Sequence, residues 1–325
     1  MTTAKFYTRQ PYRNGFRYYD HEKIITDKKI LERITKLVIP PAWTDVEIAC
    51  SSRARIQARG YDAAGRLQAI YHPAFRERQE RLKYDRMLRF GCILPQLRRQ
   101  VNRDLSRRRL SKERVLACIV TLIDRTYLRV GNDRYAKMNH SYGITTLRSK
   151  HVEIKGDTII FDFIGKSGKQ HVKKISDRQL CRLIKQLDEL PGYELFRYQD
   201  KNGAVHDLHS HDVNEYIKLY MGEEFTAKDF RTWHGTVIAS EYLLSHPPAA
   251  SLNERKKEIT AAVKRVAKAL GNTPALARAS YIDPRVLATY LNPNQFTKLA
   301  QKADRLRATA THSRAERQTI ALLGD

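Results

Sequence analysis

Two side chains able to do chemistry lie close together in Leu270-Gly271-Asn272-Thr273-Pro274-Ala275-Leu276-Ala277-Arg278-Ala279-Ser280-Tyr281-Ile282-Asp283-Pro284. Gly271 suits the position just past a helix, and Thr273-Pro274 and Asp283-Pro284 each read as an N-cap followed by proline at the first helical position. Asn272 and Tyr281 are thereby held on short, well-terminated segments at a helix junction. A phenol fixed in this way is a candidate nucleophile. On spacing alone the claim is weak, because the chain has 17 tyrosines and most tyrosines pack.

Lys166 is presented differently, at the tip of a hairpin, Gly165-Lys166-Ser167-Gly168. Gly165-Lys166-Ser167 imitates the end of a phosphate-binding loop for ATP. That loop needs glycine where Ile160 stands and a helix where the pattern continues as a strand, so no ATP site is expected. No acidic or histidine cluster stands at metal-ligand spacing, and no metal or other cofactor is called for. Cys50, Cys92, Cys118 and Cys181 are widely spaced, form no C-x-x-C pair, and read as reduced cytosolic thiols.

The 325 residues carry 60 Lys+Arg against 35 Asp+Glu, a net charge of +25. The excess is spread along the chain, which favours a nucleic-acid partner through phosphate neutralisation. No apolar run approaches the roughly 18 residues of a membrane span, and the polar start MTTAKFYTRQ does not read as a signal peptide.

The stretch 270–284 resembles the active-site end of the type IB DNA topoisomerases, the compact poxvirus and bacterial kind. Further segments share the resemblance: Leu128-Arg129-Val130-Gly131-Asn132, Ser141 to Arg148, Phe163-Ile164-Gly165-Lys166 and Ala227-Lys228-Asp229-Phe230-Arg231-Thr232. Ile39-Pro40-Pro41-Ala42-Trp43 and Gly65-Arg66-Leu67-Gln68-Ala69-Ile70-Tyr71 are similar to the family's amino-terminal domain. The resemblance implies relaxation of positive and negative supercoils through a transient 3′-phosphotyrosyl break in one strand, without ATP or metal. It implies a cytoplasmic monomer at the bacterial nucleoid, clamping double-stranded DNA.

Residue by residue, the resemblance makes Tyr281 the nucleophile, Arg129 and Arg231 the phosphate clamp, and Lys166 the general acid. Asn272 stands where poxvirus and eukaryotic members have histidine; it can donate a hydrogen bond but brings no charge. The reaction explains these residue types. Charge accumulating on phosphate favours planar, bidentate guanidiniums, and a departing 5′ oxygen needs a proton. Arg66, Gln68, Tyr71, Tyr135 and Lys228 are the implied DNA contacts. Ala69 replaces the first tyrosine of the family's R-x-Q-Y-x-Y pattern, which leaves sequence preference open.

The elements that must position these residues give an α+β chain. Residues 1–89 read as a small β-rich, DNA-clamping domain, with strands around Phe16-Tyr19, Val46-Ala49, Arg55-Ala58 and Gln68-Tyr71 and a helix from Asp27 to Leu37. Residues 90–325 read as a mostly helical catalytic domain holding a three-stranded antiparallel sheet between 144 and 175, a layout like the tyrosine recombinases and type IB topoisomerases. The junction is expected near Arg89-Phe90-Gly91. A helix starting at Ser111 should end at Gly131, helices are expected to be capped by Ser176, Ser210 and a Ser251–Glu254 capping box, and the tail after Thr309 is expected to fray.

Two rival readings survive at this level. A tyrosine recombinase shares the Arg, Lys, Arg, Tyr order, but Lys228 occupies the histidine position of its H-x-x-R. An architectural DNA-binding protein accounts for the charge and leaves the ordered catalytic-type residues unexplained.

Overall fold

In the computed structural model, which describes residues 6–324, six strands form one antiparallel sheet: β1 (Phe6–Tyr12), β2 (Gly15–Asp20), β3 (Lys23–Ile24), β4 (Thr44–Ala49), β5 (Ile56–Tyr61) and β6 (Leu67–Tyr71), in the order β3-β2-β1-β4-β5-β6. Helix α1 (Lys28–Lys36) starts on Asp27, whose Oδ1 accepts from the Lys29 and Ile30 amides at 2.7 and 3.3 Å. The core behind the sheet joins Tyr7, Ile34, Val46, Ile48 and Ala58. No strand was expected before Phe16. The reason is Arg9, a buried charge on β1 that breaks the apolar alternation. It donates to the carbonyls of Pro40 at 3.1 Å and Trp43 at 2.6 Å, fastening the extended Ile39–Trp43 segment.

Helix α2 (Pro73–Leu105) runs without interruption through Arg89-Phe90-Gly91, the expected junction; the two compact units divide inside it, between Asp85 and Arg86. Gly91 is a packing glycine. A Cβ there would lie 2.3 Å from Cη2 of Trp233, the largest fully buried side chain. Pro95 has no N–H to offer the Gly91 carbonyl four residues back, and His312 Nε2 donates to that carbonyl at 2.7 Å instead.

The second unit continues with α3 (Lys112–Thr126), α4 (Asp133–Asn139), the strands β7 (Val152–Lys155), β8 (Thr158–Gly165) and β9 (Lys169–Ser176), and α5 (Arg178–Asp188). A short hairpin, β10 (Arg197–Gln199) and β11 (Val205–Asp207), follows. Then come α6 (Ser210–Met221), α7 (Ala227–Leu244), α8 (Leu252–Leu270), α9 (Pro274–Ser280), α10 (Pro284–Leu291), α11 (Pro293–Asp304) and α12 (Arg314–Leu323). The three-stranded sheet has the order β7-β8-β9, and its core-facing residues alternate as Ile159, Phe161 and Phe163. The architecture is thus α+β: an antiparallel amino-terminal sheet and a larger, mostly helical region with its own three-stranded sheet.

Several expected boundaries shift. Helix α3 ends at Thr126 because Tyr127 turns left-handed (φ 61°), so Gly131 does not terminate it, and Arg129 lies in the loop that follows. Asp177, one residue after Ser176, caps α5, accepting from the Leu180 amide at 3.0 Å. His209, one before Ser210, is the cap position of α6, and Ser251 makes no side-chain capping bond. The tail does not fray. Glu316 of α12 is 3% exposed and accepts from both terminal nitrogens of Arg98 at 2.8 Å; Arg98 also grips Asp124, which is 2.7 Å from His234 Nε2. From the segment after Thr309, Thr311 O accepts from Arg98 Nη1 at 2.7 Å and Ser313 Oγ accepts from the Glu316 amide at 3.2 Å.

Candidate active site

The end of α8 is built to hold Asn272. Gly271 takes the left-handed conformation (φ 67°); the Asn272 amide donates to Ala267 O at 2.9 Å and the Gly271 amide to Lys268 O at 3.3 Å. This pair of bonds closes the helix in a Schellman motif and fixes Asn272 beyond it. Two further carbonyls at this terminus take cations as partners: Ala269 O accepts from Lys173 Nζ at 2.8 Å and Leu270 O from Arg231 Nη2 at 2.9 Å. Positive charge at a helix carboxyl end is favourable in any case.

Tyr281 follows on α9. Thr273 Oγ1 accepts from the Leu276 amide at 3.3 Å, Pro274 fills the first turn, and the Tyr281 amide closes the helix on Ala277 O at 3.0 Å. Next, Asp283, fully buried, caps α10, while its own amide donates to Thr236 Oγ1 on α7 at 3.0 Å. Gly235 allows this crossing, since a Cβ on it would stand 2.3 Å from the Tyr281 carbonyl oxygen.

Arg231 is carried by the first turns of α7, where Asp229 accepts from the Thr226 amide at 2.8 Å and from Arg86 Nη2 at 2.8 Å. It is 3% exposed. Besides Leu270 O, it donates to Tyr127 O and, at 3.4 Å, to Asn272 Oδ1. Its guanidinium lies 5.2 Å from the Tyr281 ring centroid. Burial, reinforced by the charge of Arg129, brings its pKa down to about 10, which still leaves it charged at neutral pH.

Arg129 donates to the same Asn272 Oδ1 at 3.0 Å. Its loop is fastened where Ile144 and Thr145 amides donate to Arg129 O and Val130 O at 2.9 and 2.7 Å, and Gly131 (φ 115°) passes so near Thr145 that a Cβ would meet its Oγ1 at 2.7 Å. Because both arginines are donors, the amide of Asn272 must turn its oxygen to them. Its Nδ2 is then left buried with no hydrogen-bond partner among the described residues, as is Arg231 Nε. Orphaned buried donors of this kind are costly unless a ligand oxygen completes them.

Lys166 stands exposed at the β8–β9 tip, where Ser167 and Gly168 both adopt positive φ (64° and 68°) to turn the chain. The Tyr142 amide donates to Ile164 O at 2.9 Å and ties this hairpin to the segment that holds the Arg129 loop. A cleft of about 410 Å³ is lined by Arg129, Tyr135, Lys166, Lys228, Arg231 and Tyr281. Burial pushes the Tyr281 phenol up, but the charges of Arg231 and Arg129 beside it outweigh burial and hold it below its ordinary value. The arrangement can therefore offer a phenol oxygen, two guanidiniums, an ammonium and an amide donor to one anionic group.

Arg129, Lys166, Arg231 and Tyr281, together with Tyr135 and Lys228, thus come to one cleft from five stretches of chain, Lys228 and Arg231 sharing α7, with Asn272 bonded to two of them. Arg66, Gln68 and Tyr71 belong to the amino-terminal unit. Asp62 accepts from Arg66 Nε at 2.8 Å and Gln68 Nε2 at 3.0 Å, while the strand's pleat sets Tyr71 on the face opposite Gln68, its ring 5.3 Å from that of Phe75. Three participants escaped the sequence reading: Lys173, the Tyr127 carbonyl and His171. The signal for His171 was the glycine pair Gly165 and Gly271, on which its ring packs.

The catalytic-core model of eukaryotic DNA topoisomerase I matches residues 72–312, and that of the bacterial DNA topoisomerase IB N-terminal domain matches residues 15–62. The chain is 36% identical to the DNA topoisomerase 1B of Acanthamoeba polyphaga mimivirus over 86% of its own length and 85% of the viral protein. It is 25% identical to the DNA topoisomerase I of Monkeypox virus over 85% and 90% of the two chains. To the DNA topoisomerase 1 of Mycosarcoma maydis it is 29% identical, over 54% of this chain and 20% of the fungal one. A cleft that gathers these residue types, and matches over most of the chain, lead to one assignment: the chain belongs to the type IB DNA topoisomerases.

Proposed function

We propose that this enzyme relaxes positive and negative supercoils in double-stranded DNA by cutting and resealing one strand through Tyr281, with neither ATP nor metal. Tyr281 Oη attacks phosphorus as the phenolate; the P–Oη bond forms and the P–O5′ bond breaks. Lys166 Nζ gives a proton to the departing 5′ oxygen. Arg129 and Arg231 hold the nonbridging oxygens, and Asn272 Nδ2 completes the set with a neutral donor. Resealing is the same step reversed, and the phosphotyrosyl bond conserves the energy of the broken linkage.

The observation that carries this reading is the shared Asn272 oxygen. It locks two guanidiniums together, 3.0 and 3.4 Å away, and leaves its own Nδ2 unsatisfied in the site. Charge that a metal would otherwise bring is supplied by fixed side chains. The protein acts as a monomer on the duplex, in the bacterial cytoplasm at the nucleoid, with Arg66, Gln68, Tyr71, Tyr135 and Lys228 as DNA contacts.

The test is incubation with supercoiled plasmid in EDTA without ATP, using plasmids of either handedness. Relaxed topoisomers are expected from both, and Tyr281→Phe should still shift DNA on a gel but form no covalent 3′ adduct. Dependence on added Mg²⁺, or relaxation of one handedness only, would refute the proposal. Recombined products between paired sites would assign the same residues to a recombinase.

A further inference from the structure

His171 lies on β9 directly across from Phe163, at a point where β8 continues through Ile164 to Gly165 and then Lys166. Its ring stacks on Phe163 (centroids 5.5 Å apart, planes at 28°) and leans along the sheet toward the tip. It is 7% exposed. A Cβ on Gly165 would meet its Cδ2 at 2.6 Å, and a Cβ on Gly271 its Cε1 at 2.8 Å. The imidazole is therefore clasped between two bare Cα atoms. One belongs to the residue before Lys166, the other to the residue before Asn272.

We propose that His171 is a positioning residue, a flat spacer that sets the distance between the lysine hairpin and the α8 terminus. This rests on the reading of Lys166 as general acid. Both contacts are glycine because neither backbone has room for a side chain beside the ring, so the width of the ring, from its Cδ2 edge to its Cε1 edge, fixes the gap. A neutral group is needed there, with Arg129, Lys173, Arg231 and Lys169 all acting on it. Burial, with those four cations, lowers the imidazole pKa to about 4, so at working pH no further charge enters the site. Lys166 itself stands at an exposed tip, and the hairpin beneath it has to be braced for its Nζ to reach a 5′ oxygen reproducibly. Misplacement of a catalytic group by about 1 Å is enough to cost on the order of 10²-fold in rate.

The experiment compares single-turnover cleavage of ordinary DNA with cleavage of DNA carrying sulfur in place of the bridging 5′ oxygen. Sulfur leaves without protonation, so it bypasses a misplaced acid. Lys166→Ala is the control. His171→Ala should slow cleavage of ordinary DNA by roughly 10- to 100-fold, and sulfur should restore most of that loss. His171→Phe, whose six-membered ring is wider between the same two edges, should press on both backbones and slow ordinary DNA as well, with the same restoration by sulfur. Gly165→Ala leaves His171 in place and pushes a methyl group against it, at a residue of ordinary φ (−101°); it should give the same slowing and the same restoration. It also keeps the test open if His171→Ala does not fold. A native rate for both His171→Ala and Gly165→Ala would overturn the inference. So would a slow rate that sulfur fails to restore while it restores Lys166→Ala, which would leave the general-acid reading intact. Failure of sulfur to restore Lys166→Ala would remove the general-acid reading and this inference together.

Discussion

Replacing Asn272 by aspartate should make the protein more stable and nearly inactive at once. The exchange is isosteric and puts a carboxylate oxygen where Oδ1 now lies, 3.0 Å from Arg129 Nη2 and 3.4 Å from Arg231 Nη2. At an effective dielectric near 20, each guanidinium would attract the new charge by about 4 kcal/mol. Burying a carboxylate costs several kcal/mol. The net gain is about 2 kcal/mol, which in a unit of this size is roughly 4–8 °C in Tm. The two cations depress the folded pKa of the new acid below the ordinary value near 4. The gain is therefore complete above about pH 4 and lost as pH falls through the depressed value. The same exchange removes the Nδ2 donor, worth roughly 10²–10³ in rate, and places negative charge against an incoming phosphate. Asn272→Leu separates the two effects. It loses the donor but also strands both arginines, so Tm should fall while activity falls similarly. Thermal unfolding by circular dichroism, beside single-turnover cleavage, reads both quantities. A fall in Tm for Asn272→Asp, or cleavage within tenfold of native, would show that Oδ1 does not hold the two arginines in the working protein.

Three further outcomes are expected. Cleavage should rise with pH until the Tyr281 phenol is ionised and then level off, and Arg231→Ala should move that limb to higher pH, because the cation that favours phenolate is gone; an unmoved limb would assign it to another group. Glu316→Gln leaves Arg98 half-partnered in the interior and should cost about 3–5 kcal/mol, roughly 6–20 °C in Tm. Although burial raises Asp124 and Glu316, His234 and Arg98 at Asp124 and chiefly Arg98 at Glu316 prevail and lower both pKa values, so the stability they give is present above about pH 4–5 and lost as pH falls through the lowered values; the variant should show a flatter acid limb in Tm against pH. Gly91→Ala should destabilise by about 1–3 kcal/mol through overpacking against Trp233, measurable by urea unfolding, and an unchanged midpoint would mean that α2 shifts freely there.

What could be read from the sequence follows from how local each signal is. The β8–β9 hairpin was legible because its turn residues sit between alternating apolar runs, and the α8–α9–α10 junction because Gly271, Thr273-Pro274 and Asp283-Pro284 are punctuation that acts within a turn of helix. Tyr281 was legible only as a well-held phenol; its surroundings come from the loop after α3, from α7 and from the β8–β9 tip, far off in sequence. β1 was hidden by Arg9, which folds inward to cap carbonyls 30 residues away, a use of arginine that no periodicity announces. The 309–323 segment looked like a polar tail because its one decisive residue, Glu316, is an acid whose partners are Arg98 and Trp233. His171 looked like any strand residue until the two glycines it touches could be seen together.

The Arg98–Glu316 pair also imposes a timetable. Its members are 218 residues apart, and a ribosome adding about 5–20 residues per second delivers the second roughly 10–40 s after the first. During that interval Arg98, Asp124 and the start of α3 are already outside the tunnel, and Tyr281 emerges before the network around α7 can close. A nascent chain thus carries Tyr281 on an unfinished support. Only when α12 emerges does Arg98 gain the second of its two buried carboxylate partners.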